Sequence, residues 1–462
     1  MASASGPYDL SPRLCAFAAG EDSRCYEWLG CHYAGDGGYT FRVWAPTATA
    51  VSLVGEFCGW DPSAQPMERV ADGLWECTLQ HVGAYSAYGY HIVNKDGQAV
   101  QTADPLATCQ REDVSLVHTV GGGAHTQRPT TDCPPNVYEV HPASWRRYAG
   151  GAVFSYEALQ EELIPYVREL GFTHLRLLAF ATGFAPPPCH GTPEAFRGFV
   201  EACHAAGLGV LLDWLPASEE TPAAHSIALS RAVFWLEEYG IDGLWAQGDT
   251  AAHPLWRQLQ KLCPQALLAQ EAPGDVRPSA DRSLLAGMPG DYEQQLAGVR
   301  SLLAYRLLSP GPRRLFMGDE FGQQKPWDPD GSLDWLLLDY EDNRLLRHYV
   351  TTLNHLYRET PALWAGAVWT GEDGVLTAYL KDGLTAVCNT TPTRRDGVRI
   401  GLTDGGDHAV LFYSDLIQFG GDSREVPSIR PQLQPTEGRA YSAELTLPPL
   451  SVVLIQKRDD QS

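Results

Sequence analysis

Apolar and polar residues alternate in short runs from Tyr26 to Val120, and Gly, Pro and Asp break the runs apart. TFRVWAP, AVSLVGEF, GLWECTL and YGYHIV are rich in β-branched and aromatic residues, and they recur about every ten positions. A period of two at that spacing predicts a small antiparallel sandwich over residues 26–120. Residues 1–25 read as an N-terminal extension and the Gly- and Thr-rich residues 121–136 as a linker.

From Val137 the rhythm changes to apolar runs of about five residues that alternate with amphipathic stretches. VYEVHPASW precedes the helical YEALQEELIPYVRELG; THLRLLAF, GVLLDWLP, IDGLWAQGD and ALLAQEAP follow, each separated by a helix, and RRLFMGDEF comes last. This alternation predicts βαβ units and a parallel sheet over residues 137–364. Gly171, Gly207 and Gly240 sit where left-handed helix caps are expected. After that, GVLTAYL, LTAVCNTTP, HAVLFYSD and YSAELTLPPLSVVLIQ predict a second antiparallel domain over residues 365–462.

Composition narrows the function classes. A hydrophobic content of 44% with 19% charged residues is globular. The net charge of -22 disfavours nucleic acid and anionic membranes as partners. No apolar run approaches a membrane span and the first residues lack a signal-peptide pattern, so a cytoplasmic location is expected. The eleven cysteines form no CxxC pair, so reduced buried thiols are expected in place of metal or redox chemistry. Cys189-His190 has no further ligand at helpful spacing, and neither metal nor cofactor is expected.

The ordered segments resemble the 1,4-α-glucan branching enzymes of glycoside hydrolase family 13. FRVWAPTATAVSLVGEFCGWDPSAQPM, with the later Ala103 to Pro105, is similar to a carbohydrate-binding module of family 48. YEVHPASWRR, GTPEAFRGFVEACHAAGLGVLLDWLP, MPGDYEQQLAGVRSLLAY and LFMGDEFGQ resemble the family's barrel, while CNTTP, DGVRIGL and FYSDLIQFGG resemble its C-terminal domain. The resemblance implies three parts: an N-terminal immunoglobulin-like β-sandwich, a (β/α)8-type TIM barrel and a C-terminal antiparallel β-sandwich. The barrel is truncated. Residues 274–287 are too few for the two strand-helix units expected there, since each crossover takes roughly ten residues or more. Six strands remain where eight close the ring.

Retaining glucanotransfer, the reaction that the resemblance implies, needs a nucleophilic carboxylate and an acid/base carboxyl about 5–5.5 Å apart. The nucleophile strand of the family reads Asp-Gly-aromatic/Leu-Arg-x-Asp. This chain keeps Asp242, Gly243 and Leu244, then carries Trp245 for the Arg and Gln247 for the nucleophile. Gln270 occupies the acid/base position, and an amide can neither form the glycosyl ester nor give a proton. Asp213 is kept, but Ser218 replaces the His expected five residues on. Asp281 is the remnant of the segment that carries the third carboxylate.

Two readings of function follow. In the first, the chain is a catalytically inactive relative that binds α-glucan (glycogen or maltooligosaccharide) or pairs with an active branching enzyme or another glycogen-synthesis protein. In the second, it is an active enzyme that uses the shifted carboxylates Asp249 and Glu271. Asp249 is displaced by roughly 6.6 Å from the nucleophile position, which favours the first reading. Trp60 and Trp75 serve either as a glucan platform or as core residues, and Trp245 either stacks on a sugar or fills vacated space. Asp213 holds either a sugar hydroxyl or a structural hydrogen bond, and Glu320 braces the barrel end.

Overall fold

The computed structural model describes residues 10–121, 128–129, 132–180, 183–214, 221–246, 254–270, 282–309 and 313–458. Two compact units divide the chain: residues 1–129, 153–162 and 176–275 form the first, and residues 130–152, 163–175 and 276–462 the second.

The first unit opens with helix α1 (Ser11–Ala19), which begins with Pro12 in its first turn and ends on the left-handed Gly20. Its Phe17 is fully buried, and the Phe17 carbonyl accepts a 3.0 Å bond from the Ser226 hydroxyl. Part of the segment read as an extension is therefore core, and its Pro start and Gly stop are ordinary helix punctuation. The alternating runs then form β1 (Gly30–Gly35), β2 (Gly38–Trp44), β3 (Ala48–Gly55), β4 (Glu68–Ala71), β5 (Leu74–Leu79), β6 (Ala87–Asn94), β7 (Ala99–Thr102), β8 (Gln110–Arg111) and β9 (Val114–Leu116). One sheet has the order β1-β2-β5-β4 and the other β3-β6-β9-β8, with β7 on β6. Phe41 and Val43 from one sheet meet Val51, Leu53, Tyr88 and Tyr90 from the other in a shared core. Asp104 of the Ala103–Pro105 turn is buried there; it accepts bonds from Tyr88 (2.7 Å), Tyr90 (3.2 Å) and the Leu106 N–H (2.9 Å).

Six apolar runs form parallel strands: β10 (Asn136–Val140), β11 (His174–Leu177), β12 (Gly209–Trp214), β13 (Gly243–Ala246), β14 (Leu267–Gln270) and β15 (Arg313–Phe316). Their order is β14-β13-β12-β11-β10-β15. The last strand lies beside the first, as in a ring, and among the described residues the sheet ends at β14 and β15. This is the pattern of a barrel from which the two strands between those ends are missing. β10 is shorter than VYEVHPASW suggested, because Pro142 starts helix α2 (Pro142–Trp145).

The remaining helices are α3 (Tyr156–Glu169), α4 (Pro193–Ala205), α5 (Pro222–Glu238), α6 (Pro254–Leu262), α7 (Leu284–Gly287), α8 (Tyr292–Leu308) and α9 (Glu341–Glu359). Thr192 and Thr221 cap α4 and α5, and an Asp291–Gln294 capping box starts α8. Gly171, Gly207 and Gly240 have the left-handed φ expected of helix caps. In the second unit, β16 (Thr370–Glu372), β17 (Val375–Tyr379), β18 (Leu384–Asn389), β19 (Arg395–Leu402), β20 (His408–Tyr413), β21 (Tyr441–Leu447) and β22 (Ser451–Lys457) complete the chain. They form the sheets β16-β17-β18-β22-β20 and β19-β21 around Val387, Leu402, Leu445 and Val453.

Candidate functional site at the strand ends

Strands β11 to β13 of the first unit carry the residues nearest to the family's chemistry. Arg176 on β11 donates a 2.6 Å hydrogen bond to Asp213 on β12, and both side chains are buried. The Arg176 guanidinium carbon lies 4.7 Å from the centre of the Trp245 ring on β13. Asp213 and Trp245 are register partners on neighbouring strands, so all three share one face of the sheet. The result is a layer of cation, carboxylate and indole.

That layer bears on two of the open readings. Asp213 is hydrogen-bonded to Arg176. Trp245 is fully buried, and its indole N–H finds no hydrogen-bond partner among the described residues. A ring with no exposed face cannot stack on a sugar, so the sugar-binding reading of Trp245 is corrected to space filling. The same correction holds for Trp75. It sits in the sandwich core, and its indole donates to the Ala45 carbonyl at 3.2 Å. Trp60 is half-buried and packs beside Ala87, Cys109 and Leu116.

Gln270 ends β14, where its register partner is Ala246; Ala269 is the residue that pairs with Trp245. By strand alternation Gln270 therefore faces away from the Asp213 layer. Gln247, Asp249, Glu271, Asp281 and Ser218 lie outside the described residues. Within β11 to β14, Asp213 is the one carboxylate. His190 is buried, with its Nδ1 2.6 Å from the Phe154 carbonyl.

Arg176 was not singled out in the sequence. The signal was present, since a lone Arg in the apolar run THLRLLAF needs a buried partner. At the start of β13, Asp242 accepts a 2.7 Å bond from the Val210 N–H and lies 2.9 Å from His204 Nε2 on α4. Gly243 brings β13 so close to β14 that a Cβ there would run into the Leu267 carbonyl.

The second unit holds carboxylates of another kind. Glu320 is buried and accepts bonds from Tyr138 (2.9 Å), Tyr166 (2.7 Å) and the Gly318 N–H (2.7 Å). Burial pushes its pKa above the usual carboxylate range, against those three donors. Glu139 on β10 binds Arg314 on β15 at 3.1 Å. Each carboxylate is saturated by its neighbours, as a bracing role requires.

The two β domains match family models: Carbohydrate-binding module 48 (Isoamylase N-terminal domain) over residues 28–107, and Alpha amylase, C-terminal all-beta domain over residues 369–458. The fold is similar to the catalytic module of the glycogen-degrading pneumococcal virulence factor SpuA. The TM-score is 0.71 at 13% identity, over 97% of this chain and 100% of that one. A putative alpha amylase from Salmonella typhimurium gives 0.64 at 17% identity, over 93% and 100%. The domain order and the parallel sheet define an α-amylase-type fold.

Sequence relatives narrow that class. The 1,4-alpha-glucan branching enzyme GlgB of Pseudomonas aeruginosa is 30% identical over 97% of this chain and 86% of its own length, and that of Rubrobacter xylanophilus is 30% identical over 98% and 87%. The chain belongs to the 1,4-alpha-glucan branching enzyme family. The Pseudomonas alignment runs over 630 residues against a chain of 462, so the relative carries long internal stretches that are absent here.

Proposed function

We propose that this chain is a non-catalytic branching-enzyme relative that binds α-glucan through its N-terminal module and works in the cytoplasm, alone or beside an active branching enzyme. The observation that carries the reading is the Arg176–Asp213–Trp245 layer. The carboxylate that the family places at this strand end is committed to a buried guanidinium, and an indole fills the place of the sugar-orienting Arg. Gln247 and Gln270 supply neither a nucleophile nor a proton at the other two positions. Among the described residues no helix is long and apolar enough to cross a membrane. Binding is assigned to the module matched over residues 28–107, with Trp60 as its half-buried aromatic.

Two assays test the two halves. Iodine-monitored branching of amylose is expected to show no activity; clear activity that Asp249→Ala abolishes overturns the non-catalytic reading. Glycogen co-sedimentation is expected to pellet the protein, and Trp60→Ala to reduce the pelleted fraction. A protein that stays in the supernatant overturns the binding reading.

A further inference from the structure

Between β15 and α9 the second unit carries a 3-10 helix, Trp335–Asp339, with the sequence WLLLD, and none of its five residues is buried. Leu336 is 72% exposed, and Tyr340, which follows the helix, is 64% exposed. We infer that this segment docks one amphipathic helix of another protein, which lays its apolar face on Leu336 and Tyr340 and carries Lys or Arg along its flanks. A single exposed leucine is ordinary, but a Trp-Leu-Leu-Leu run outside the core leaves an apolar strip facing water.

The strip is held from behind. The Trp335 indole donates a 2.8 Å bond to the Trp145 carbonyl, and its ring lies 4.9 Å from that of Trp145 and 5.3 Å from that of Phe321. The Leu337 N–H donates to the Asp334 carbonyl and the Tyr340 N–H to the Leu337 carbonyl, both at 3.0 Å. Arg344 donates to the Leu338 carbonyl at 3.1 Å and to the Asp339 carbonyl at 2.6 Å. With these backbone groups engaged the segment offers no strand edge, so a partner meets it through side chains. Leu336 and Tyr340 are about 8 Å apart along the 3-10 rise, close to the roughly 6 Å between apolar residues one turn apart on an α-helix.

Charge selects the flanks of the partner. Asp339, Glu341 and Asp342 are exposed beside the strip, and none of the three forms an ion pair among the described residues. Arg344, the cation nearest in sequence, is directed at carbonyls. Lysine or arginine beside the partner's apolar face is therefore attracted here, while an anionic lipid surface is repelled. A second copy of this chain is a weaker occupant, since each copy carries a net charge of -22.

Isothermal titration of the full chain with a synthetic amphipathic helix of leucine and lysine tests the inference, with the same residues in scrambled order as the control. The ordered peptide is expected to bind saturably, and the scrambled one about tenfold more weakly. Leu336→Ser leaves the Trp335 anchor in place and is expected to weaken binding of the ordered peptide about tenfold. Asp339→Asn/Glu341→Gln is expected to weaken it about threefold at low salt. Glycogen co-sedimentation is expected to be unchanged in Leu336→Ser, which keeps this surface apart from the glucan-binding reading. Equal binding of the scrambled peptide, or unchanged binding in Leu336→Ser, overturns the inference. So does Leu336-dependent flotation with neutral phosphatidylcholine vesicles, which assigns the strip to a lipid surface, or Leu336-dependent dimerisation in sedimentation, which assigns it to a second copy.

Discussion

The two ends of β13 have been treated differently. At its start, Asp242 ties the Val210 backbone to His204 on α4, and Gly243 allows the close approach to Leu267. Those residues match the family motif, and their contacts hold the fold. Near its end, Trp245, at the position where the resemblance implies an Arg, is buried against Arg176. Both described ends are held by contacts within the fold, one through a backbone N–H and the other through a cation on another strand. In the second unit Glu320 and Glu139 are likewise bound within the fold, by tyrosines and a backbone N–H and by Arg314.

The sharpest way to break this comparison is at its chemical end. If the Arg176–Asp213 pair is structural, Arg176→Met removes the buried cation that donates to Asp213, a loss of about 3–5 kcal/mol. Urea unfolding measures it, and the double variant Arg176→Met/Asp213→Leu is expected to recover most of the loss. A single variant as stable as the parent would mean that this strand end is idle rather than repurposed. At the other end, Asp242→Ala removes the acceptor for the Val210 N–H and the partner of His204. It is expected to cost about 2–3 kcal/mol, the penalty for buried groups left unpaired. A cost well below that would remove the distinction between the two ends.

How much of this was legible in the chain depends on where each residue's partner lies. The parallel sheet could be read because buried strands are continuous apolar runs, and the missing units because 274–287 is too short a stretch. The substitution at Trp245 was also plain. Its burial was not, since the cation that holds it comes from another strand, at Arg176. Trp75 was undecided because an alternating strand does not say which face is inside. Its neighbours in the β2–β5 register decided that. Helix α1 was passed over as an extension although SPRLCAFAAG carries both a Pro start and a Gly stop; nine residues are too few to be read as stable without the packing of Phe17.

The smallest expected effect lies at the far end of α4, the helix that His204 links to Asp242. Glu194 in its first turn is 2.9 Å from His118 Nε2 and accepts a 2.9 Å bond from the Tyr85 hydroxyl. Burial opposes its ionisation, but the helix backbone N–H, His118 and Tyr85 outweigh burial and hold its pKa at about 2 against the ordinary 4.5. A depressed carboxylate contributes stability that is present above its unfolded pKa and lost as pH falls through the folded one. Its contribution should therefore be complete above 4.5 and vanish towards 2. Because the side chain is more than half exposed, solvent screening limits the effect to within about 1 kcal/mol. Glu194→Gln is expected to lower stability slightly at neutral pH and to match the parent near pH 2. Urea midpoints followed across that window would show it. A variant with the same acid slope as the parent would mean that this end of α4 is held by apolar packing, leaving the Asp242–His204 link as the helix's one polar anchor to test.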